Sequence, residues 1–175
     1  MNVLPANTPR PTLVIDTREQ TPLVFTRLGC VEGALRTGDY SFLGAEETFA
    51  VERKTIADFA MCCMGSNRDR FQRELHRLRG YRFKRLLVIG TLDELERGEY
   101  RSQIKPGSVL ATIGAIEARY DVPVVFCATE ADAAAQIESW ACWYVRELLN
   151  TVKPTEKSAA AAKAAAARET EGSAA

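Results

Sequence analysis

The sequence predicts an α/β fold, with a mixed central β-sheet flanked by α-helices. Three observations predict it. Thr12-Leu13-Val14-Ile15 and Arg85-Leu86-Leu87-Val88-Ile89-Gly90 are short apolar, β-branched runs, the pattern of buried strands. Between and after them, apolar residues recur at helical spacing behind Ser, Thr and Asp capping signals. At 175 residues, 46% hydrophobic and 26% charged, the chain suits one globular domain with its own core.

The elements follow in order. Residues 1–11 carry Pro5, Pro9 and Pro11 and little apolar content, so they read as a loose arm. The first strand runs over 12–15 and ends at Asp16. Residues 34–54 read as extended segments that turn at Gly38 and Gly44, with Phe49 and Val51 alternating against Thr48, Ala50 and Glu52. Thr55 and Asp58 form a capping box that opens a helix toward Met64. A second helix is expected from about Asn67 to Arg79, stopped by Gly80. After the strand at 85–90, a short helix covers Leu92–Arg97. Ser108 can cap a helix reaching about Tyr120, and Val122–Cys127 is the next strand. Thr129 and Asp132 offer a further capping box for a helix to about Leu149. The domain is therefore set at 12–150. Residues 151–175 are Ala, Lys, Glu and Ser without an apolar face, so they read as a disordered or frayed tail.

Composition excludes several classes. Lys+Arg and Asp+Glu both total 23, so net charge does not point to a partner and the distribution must be read instead. Cys30, Cys62, Cys63, Cys127 and Cys142 form no CxxC pair. With no signal peptide visible, they read as free thiols in a reducing cytoplasm. No apolar run reaches the roughly 18 residues a membrane span needs. The phosphate-cradling GxxxxGK[ST], the dinucleotide GxGxxG and the GxSxG nucleophile elbow are all missing. His76 is the sole histidine, which argues against zinc–histidine catalysis and reads as a surface residue beside a basic stripe.

The chemistry lies in Glu52-Arg53-Lys54. In a strand, Glu52 and Lys54 share a face. Asp39 follows Gly38, where the chain turns, and a hairpin from Tyr40 to Val51 would return Glu52 toward Asp39. Two carboxylates and one ammonium then meet. Hard oxygen ligands of this kind suit Mg²⁺ or Mn²⁺, which polarise a phosphoryl oxygen and supply hydroxide near neutral pH. Taken singly, Gly-Asp-Tyr is ordinarily a turn, Glu-Arg-Lys a solvated run and Asp58 a cap. Their conjunction carries the argument.

Gly38-Asp39-Tyr40, Glu52-Arg53-Lys54 and Asp58 reproduce a GDx(n)ERKx(3)D signature. The chain thereby resembles the nuclease domain of XPF-type structure-specific endonucleases, including archaeal Hef, across residues 12–149. Asp16-Thr17-Arg18-Glu19 is similar to the acidic segment that family places after its first strand, and Leu86–Gly90 and Gly114–Phe126 to its later core. The resemblance implies a restriction-endonuclease-like fold, a divalent metal and DNA cleavage. It implies that Asp16, Asp39 and Glu52 hold metal, that Glu19 supports them, and that Arg53 belongs to the catalytic signature. Lys54 would act on the water or the scissile phosphate. We favour a point charge over a general base, because nearby carboxylates favour its charged form while a metal disfavours it. Arg18 reads equally as a phosphate clamp or a carboxylate partner. Family members commonly carry tandem helix-hairpin-helix modules downstream. This sequence has the Ala-rich tail there, so a stand-alone domain is expected.

Residues 68–85 set eight Lys and Arg against Asp69 and Glu74. Phe71, Leu75 and Leu78 form an apolar helix face, and Arg70, Arg73 and Arg77 a separate stripe, with Arg68 beside it. A solvated face is the ordinary reading of such a stripe. Behind a nuclease-like signature it reads as a phosphate-binding surface.

The expected partners are DNA, a second copy of the chain and an accessory DNA-binding protein. XPF-type nuclease domains pair, and the helices give a second reason. Ile137, Trp140, Ala141, Tyr144 and Leu148 form one stripe for the sheet, while Trp143 projects off it. Val109, Ile113, Ile116 and Tyr120 add further apolar surface. Trp143 and Ile116 are therefore the candidate interface residues. The expected function is a metal-dependent DNA endonuclease acting on branched, flap or forked DNA in repair or recombination. The rival is a non-catalytic DNA-binding or scaffold subunit, since a fold does not fix an activity.

Overall fold

The computed structural model describes residues 4–152. Its frame is a six-stranded sheet. The strands are β1 (Leu13–Asp16), β2 (Cys30–Gly33), β3 (Tyr40–Phe42), β4 (Phe49–Thr55), β5 (Phe83–Ile89) and β6 (Val124–Cys127). Their spatial order is β2-β1-β3-β4-β5-β6. β3 runs antiparallel to both β1 and β4, whereas β1–β2, β4–β5 and β5–β6 are parallel. The sheet is mixed, as expected.

Strand alternation sorts the side chains onto two faces. On one face Leu13, Ile15, Tyr40, Phe49, Val51 and Leu87 pack under α5 (Glu130–Val152). Ile137, Ala141 and Tyr144 of α5 are buried there, and Trp140 and Leu148 partly so, the stripe expected to meet the sheet. On the other face Ala50, Leu86 and Val88 pack under α1 (Ile56–Cys62), α2 (Gly65–Leu78), α3 (Leu92–Arg97) and α4 (Pro106–Tyr120). Glu52 follows the alternation of Ala50, so its side chain belongs to this second face.

The capping signals mostly act as read. Thr55 Oγ1 accepts from the Asp58 N–H at 3.1 Å, and Thr129 Oγ1 from the Asp132 N–H at 3.1 Å. Ser108 does not cap α4. Lys105 holds that place and Pro106 follows it at the first helical turn, where its missing N–H costs nothing. α2 starts at Gly65, ahead of the expected Asn67. Strand β2 was not anticipated. It is short, mostly exposed and bounded by Gly29 and Gly33, and it exists through pairing with β1. Residues 4–11 form no helix or strand, yet Pro5 is buried and Leu4 packs on the α5-side core. The tail from 153 onward lies outside the described residues. All five cysteines are free. Among the described residues, no helix is long and apolar enough to cross a membrane.

Candidate active site

The site forms where β1, β3 and β4 share an end. Ile15 lies opposite Tyr40, and Tyr40 opposite Val51. Continuing the register brings Asp16, Asp39 and Glu52 to the same end of three adjacent strands. Gly38 makes the entry possible. Its φ of +82° is a left-handed conformation, and a Cβ there would sit 3.1 Å from the Val51 carbonyl oxygen. The close approach lets the Asp39 N–H donate to that oxygen at 2.9 Å. The Asp39 carboxylate in turn accepts from the Arg53 N–H at 2.7 Å. Backbone hydrogen bonds thus fix Asp39 against the signature strand.

Glu52 is 7% exposed and is ion-paired to Lys54 on the same strand face. The Lys54 ammonium also lies 3.6 Å from Glu74 and 5.9 Å from the centre of the Phe71 ring, both on α2. Burial pushes the Asp39 carboxyl up to about 7, helped by the neighbouring Glu52 charge. Burial also raises Glu52, against the pull of Lys54. Burial works against the Lys54 ammonium, but Glu52, Glu74 and Asp39 outweigh it and hold its pKa above the ordinary lysine value. Asp39 and Glu52 thus stay raised although Lys54, Arg18 and Arg77 all act on them, and an added cation would relieve the crowding.

Asp16 differs. One oxygen accepts from the Arg18 N–H at 2.8 Å and from Arg18 Nε at 2.7 Å. The other accepts from Arg18 Nη2 at 2.9 Å and the Leu35 N–H at 2.7 Å. The Arg18 hydrogen bond, with those backbone donors, holds its carboxyl below the usual range despite burial. Of the two readings of Arg18, the carboxylate partner is the one present. Its side chain is still 71% exposed and lines the cleft. Among the described residues, no three of His, Cys, Asp and Glu stand grouped to hold a metal ion. Asp39 and Glu52 fit one by donor chemistry. Asp16 already has a full set of protein donors.

Glu19 and Arg53 form a buried pair at 2.8 Å, their side chains 8% and 7% exposed. Arg53 Nη2 also donates to the Thr21 carbonyl oxygen at 3.0 Å, and the Thr21 N–H donates to Glu19 at 2.9 Å. Burial alone would raise Glu19, but Arg53 and the Thr21 N–H outweigh it and lower its pKa. Arg53 thus ties the segment after β1 to β4, and its backbone N–H serves Asp39. Asp58 is exposed and bonded to Thr55 Oγ1 at 2.7 Å, so its visible task is to cap α1.

Arg18, Glu19, Asp39, Arg53, Lys54, Asp58 and Glu74 line a cleft of about 430 Å³ between the strand ends and α1–α2, whereas Asp16 and Glu52 are buried and do not line it. Arg70 stands on its rim and pairs with Glu74 at 3.3 Å. Arg68, Arg73 and Arg77 are exposed along α2, with Arg77 at a separate small groove beside Arg36 and Tyr81. Glu74 is the cleft residue the sequence reading missed. Its spacing from Arg70 was the available signal, since residues four apart on a helix are neighbours. His76 packs edge-on against Tyr120 at 4.9 Å.

The two candidate interface residues separate. Trp143 is 47% exposed, with Arg146 over its ring. Ile116 is 2% exposed and belongs to the core between α4 and the sheet, so the expectation that it faces a partner is corrected. Val109 and Tyr120 are buried with it, because α4 spends its apolar face on the sheet.

Fold and cleft together define an α/β domain of the XPF nuclease type. The family model of the ERCC4 domain matches residues 15–139, and the chain belongs to the ERCC4 domain family, a family of DNA endonucleases. Among solved structures, the chain is similar to XPF from Aeropyrum pernix, with 25% identity and a TM-score of 0.61, over 75% of this chain and 60% of that one. It also shares the fold of XPF from Aeropyrum pernix in complex with DNA, with 24% identity and a TM-score of 0.62, over 79% of this chain and 66% of that one. The chain thus spans less than two thirds of the length of either structure. Comparison with curated proteins gives no match.

Proposed function

We propose that this domain is a divalent-metal-dependent endonuclease that hydrolyses phosphodiester bonds in DNA, on branched, flap or forked substrates of repair or recombination. One observation carries the reading: half-buried Asp39 and Lys54 line a cleft whose rim is basic, and Lys54 is ion-paired there to the buried Glu52. Asp39 and Glu52 would hold Mg²⁺ or Mn²⁺, with Asp16 the third candidate ligand. A bound ion of this kind polarises a phosphoryl oxygen and lowers the pKa of water. Lys54 supplies a fixed positive charge where negative charge grows as the phosphorane forms. Its raised pKa favours this role over that of a general base. Arg53 and Glu19 hold the frame in which Asp39 sits. Arg70, and Arg18 when it leaves Asp16, would grip backbone phosphates, and Arg68, Arg73 and Arg77 would extend that grip along α2.

The test is nicking of supercoiled plasmid by purified protein. Mg²⁺ or Mn²⁺ should support it and EDTA should stop it. Binding without nicking under every metal condition would favour the scaffold reading. Labelled flap, fork and linear duplexes then rank the substrates.

The exposed Trp143 on the outer face of α5 supports a homodimer, with an accessory DNA-binding protein as a further partner. Light scattering on a sizing column should give twice the monomer mass, and Trp143→Glu should return it to monomer. A monomer mass at micromolar concentration, with and without DNA, removes the dimer.

A further inference from the structure

Glu74 is assigned no role by the signature, since it lies outside both Gly38-Asp39-Tyr40 and Glu52-Arg53-Lys54. Its geometry is nonetheless specific. One carboxylate oxygen lies 3.6 Å from Lys54 Nζ, and the other lies 3.3 Å from Arg70 Nε. Its side chain is 16% exposed, against 80% for Arg70. Glu74 therefore spans the depth of the cleft, from the ammonium on the floor to the guanidinium on the rim. Helix α2 fixes both ends of that span. Phe71 and Leu75 bury the adjacent face, and Arg70 stands one turn before Glu74.

An acidic side chain in a cleft meant for phosphates costs affinity unless it does something else. Two consequences follow from its position. Lys54 has two carboxylates to choose between, Glu52 and Glu74. Without Glu74, the ammonium would settle on Glu52 alone and neutralise a group needed for a cation. Arg70, in turn, is held at the rim by an ion pair open to water, which is weak and exchangeable. A DNA phosphate offers Arg70 a better bidentate partner.

We propose that Glu74 is a positioning residue of the cleft, sharing Lys54 with Glu52 through one oxygen and holding Arg70 through the other until a DNA phosphate takes that guanidinium. The inference rests on the nuclease reading above. It sets two measurable quantities moving in opposite directions. Removing the Glu74 charge frees Arg70, so DNA binding tightens. It also leaves Lys54 on Glu52 alone, so turnover slows.

The experiment compares wild type, Glu74→Gln, Glu74→Ala, Arg70→Ala and the Arg70→Ala/Glu74→Gln double variant on a labelled duplex. Binding is measured in EDTA, and single-turnover cleavage in Mg²⁺. Glu74→Gln should tighten binding by about two- to fivefold, the range of an exposed ion pair. Most of that gain should vanish in the Arg70→Ala background, where no guanidinium remains to be freed. The cleavage rate at saturating DNA should fall by roughly ten- to a hundredfold for Glu74→Ala, as expected when a catalytic group is displaced by about an ångström. Glu74→Gln should fall less, because its amide oxygen keeps a partial negative charge facing Lys54 at the place of the carboxylate. A purely structural Glu74 would instead lower thermal stability and weaken binding and turnover together. Unchanged binding and turnover in Glu74→Gln, with wild type active, overturns this inference alone. If wild type binds without cleaving, the Arg70–Glu74 coupling in EDTA decides it. A wild-type protein that neither binds nor nicks DNA removes both this inference and the reading beneath it.

Discussion

Glu52 and Glu138 are both buried carboxylates, 7% and 1% exposed, and they are treated in opposite ways. Glu138 on α5 accepts from the backbone N–H groups of Thr26, Arg27 and Leu28 at 3.1, 2.7 and 3.0 Å, and from Arg27 Nε at 2.6 Å. Those donors stitch the segment ahead of β2 onto α5. Glu52 has Lys54 and the more distant charge of Arg77, with Asp39 and Glu74 crowding the same space and no backbone N–H donor to its carboxylate among the described residues. One carboxylate is saturated by its own protein and the other is left wanting positive charge. A saturated buried acid stabilises a fold, and an unsaturated one is available to a ligand. By the same measure Asp16 resembles Glu138 more than Glu52.

The largest effect should come from the unsaturated pair. Asp39→Asn and Glu52→Gln should lower cleavage by about two to three orders of magnitude or more, while duplex binding in EDTA persists. Neither should lower the melting temperature without metal, because each removes the charge of a half-buried or buried carboxyl whose pKa is raised by its surroundings. Near wild-type turnover in Mg²⁺ would take these residues out of the mechanism. Lys54→Ala should also lose turnover while keeping metal affinity. Metal affinity lost in calorimetry would make Lys54 part of the metal frame instead of a charge on the phosphate.

The converse holds for Glu138. Glu138→Ala strands three backbone donors, so it should destabilise the fold by about 2–4 kcal/mol. Arg27 is 30% exposed and regains water, which keeps the loss from being larger. Cleavage per folded molecule should be unchanged. Denaturant melts and an active-site titration separate the two quantities. A variant that melts like wild type would break the comparison, since saturation would then have no energetic consequence.

Much of this was legible in the sequence, and the exceptions share a cause. The buried strands, the short helix at Leu92–Arg97, the α5 stripe and the Asp39–Glu52–Lys54 grouping rest on local periodicity and near-neighbour spacing. What was missed depends on distant partners. The Glu138 clamp joins residues more than a hundred apart in sequence. Asp16 is saturated in part by the Leu35 N–H, which its own segment does not reveal. Strand β2 has too little apolar content to declare itself and is made by its neighbour. Ile116 has the same apolar character whether it meets the sheet or a partner. The fold decides for the sheet.

The smallest effects should come from the exposed arginines, and they test whether the α2 stripe belongs with the site. Arg70, Arg73 and Arg77 are all exposed, but Arg70 alone lines the cleft. A phosphate contact releases counterions, so each lost contact lowers the slope of log K against log salt by about 0.9 on duplex DNA. Substituting all three with Ala should therefore reduce the slope by about 2.7 if all three touch phosphate. The single variants should each weaken binding modestly. Arg70→Ala should lose most at low salt, because it also leaves Glu74 unpaired in the cleft. Arg73→Ala should lower affinity without altering the cleavage rate at saturating DNA, since it does not line the cleft, whereas Arg77→Ala also removes a charge that acts on Glu52. A slope unchanged in the triple variant would leave the stripe a solvated helix face. A slope lowered only by Arg70→Ala would confine the grip to the cleft rim and put the DNA path across the strand ends instead of along α2.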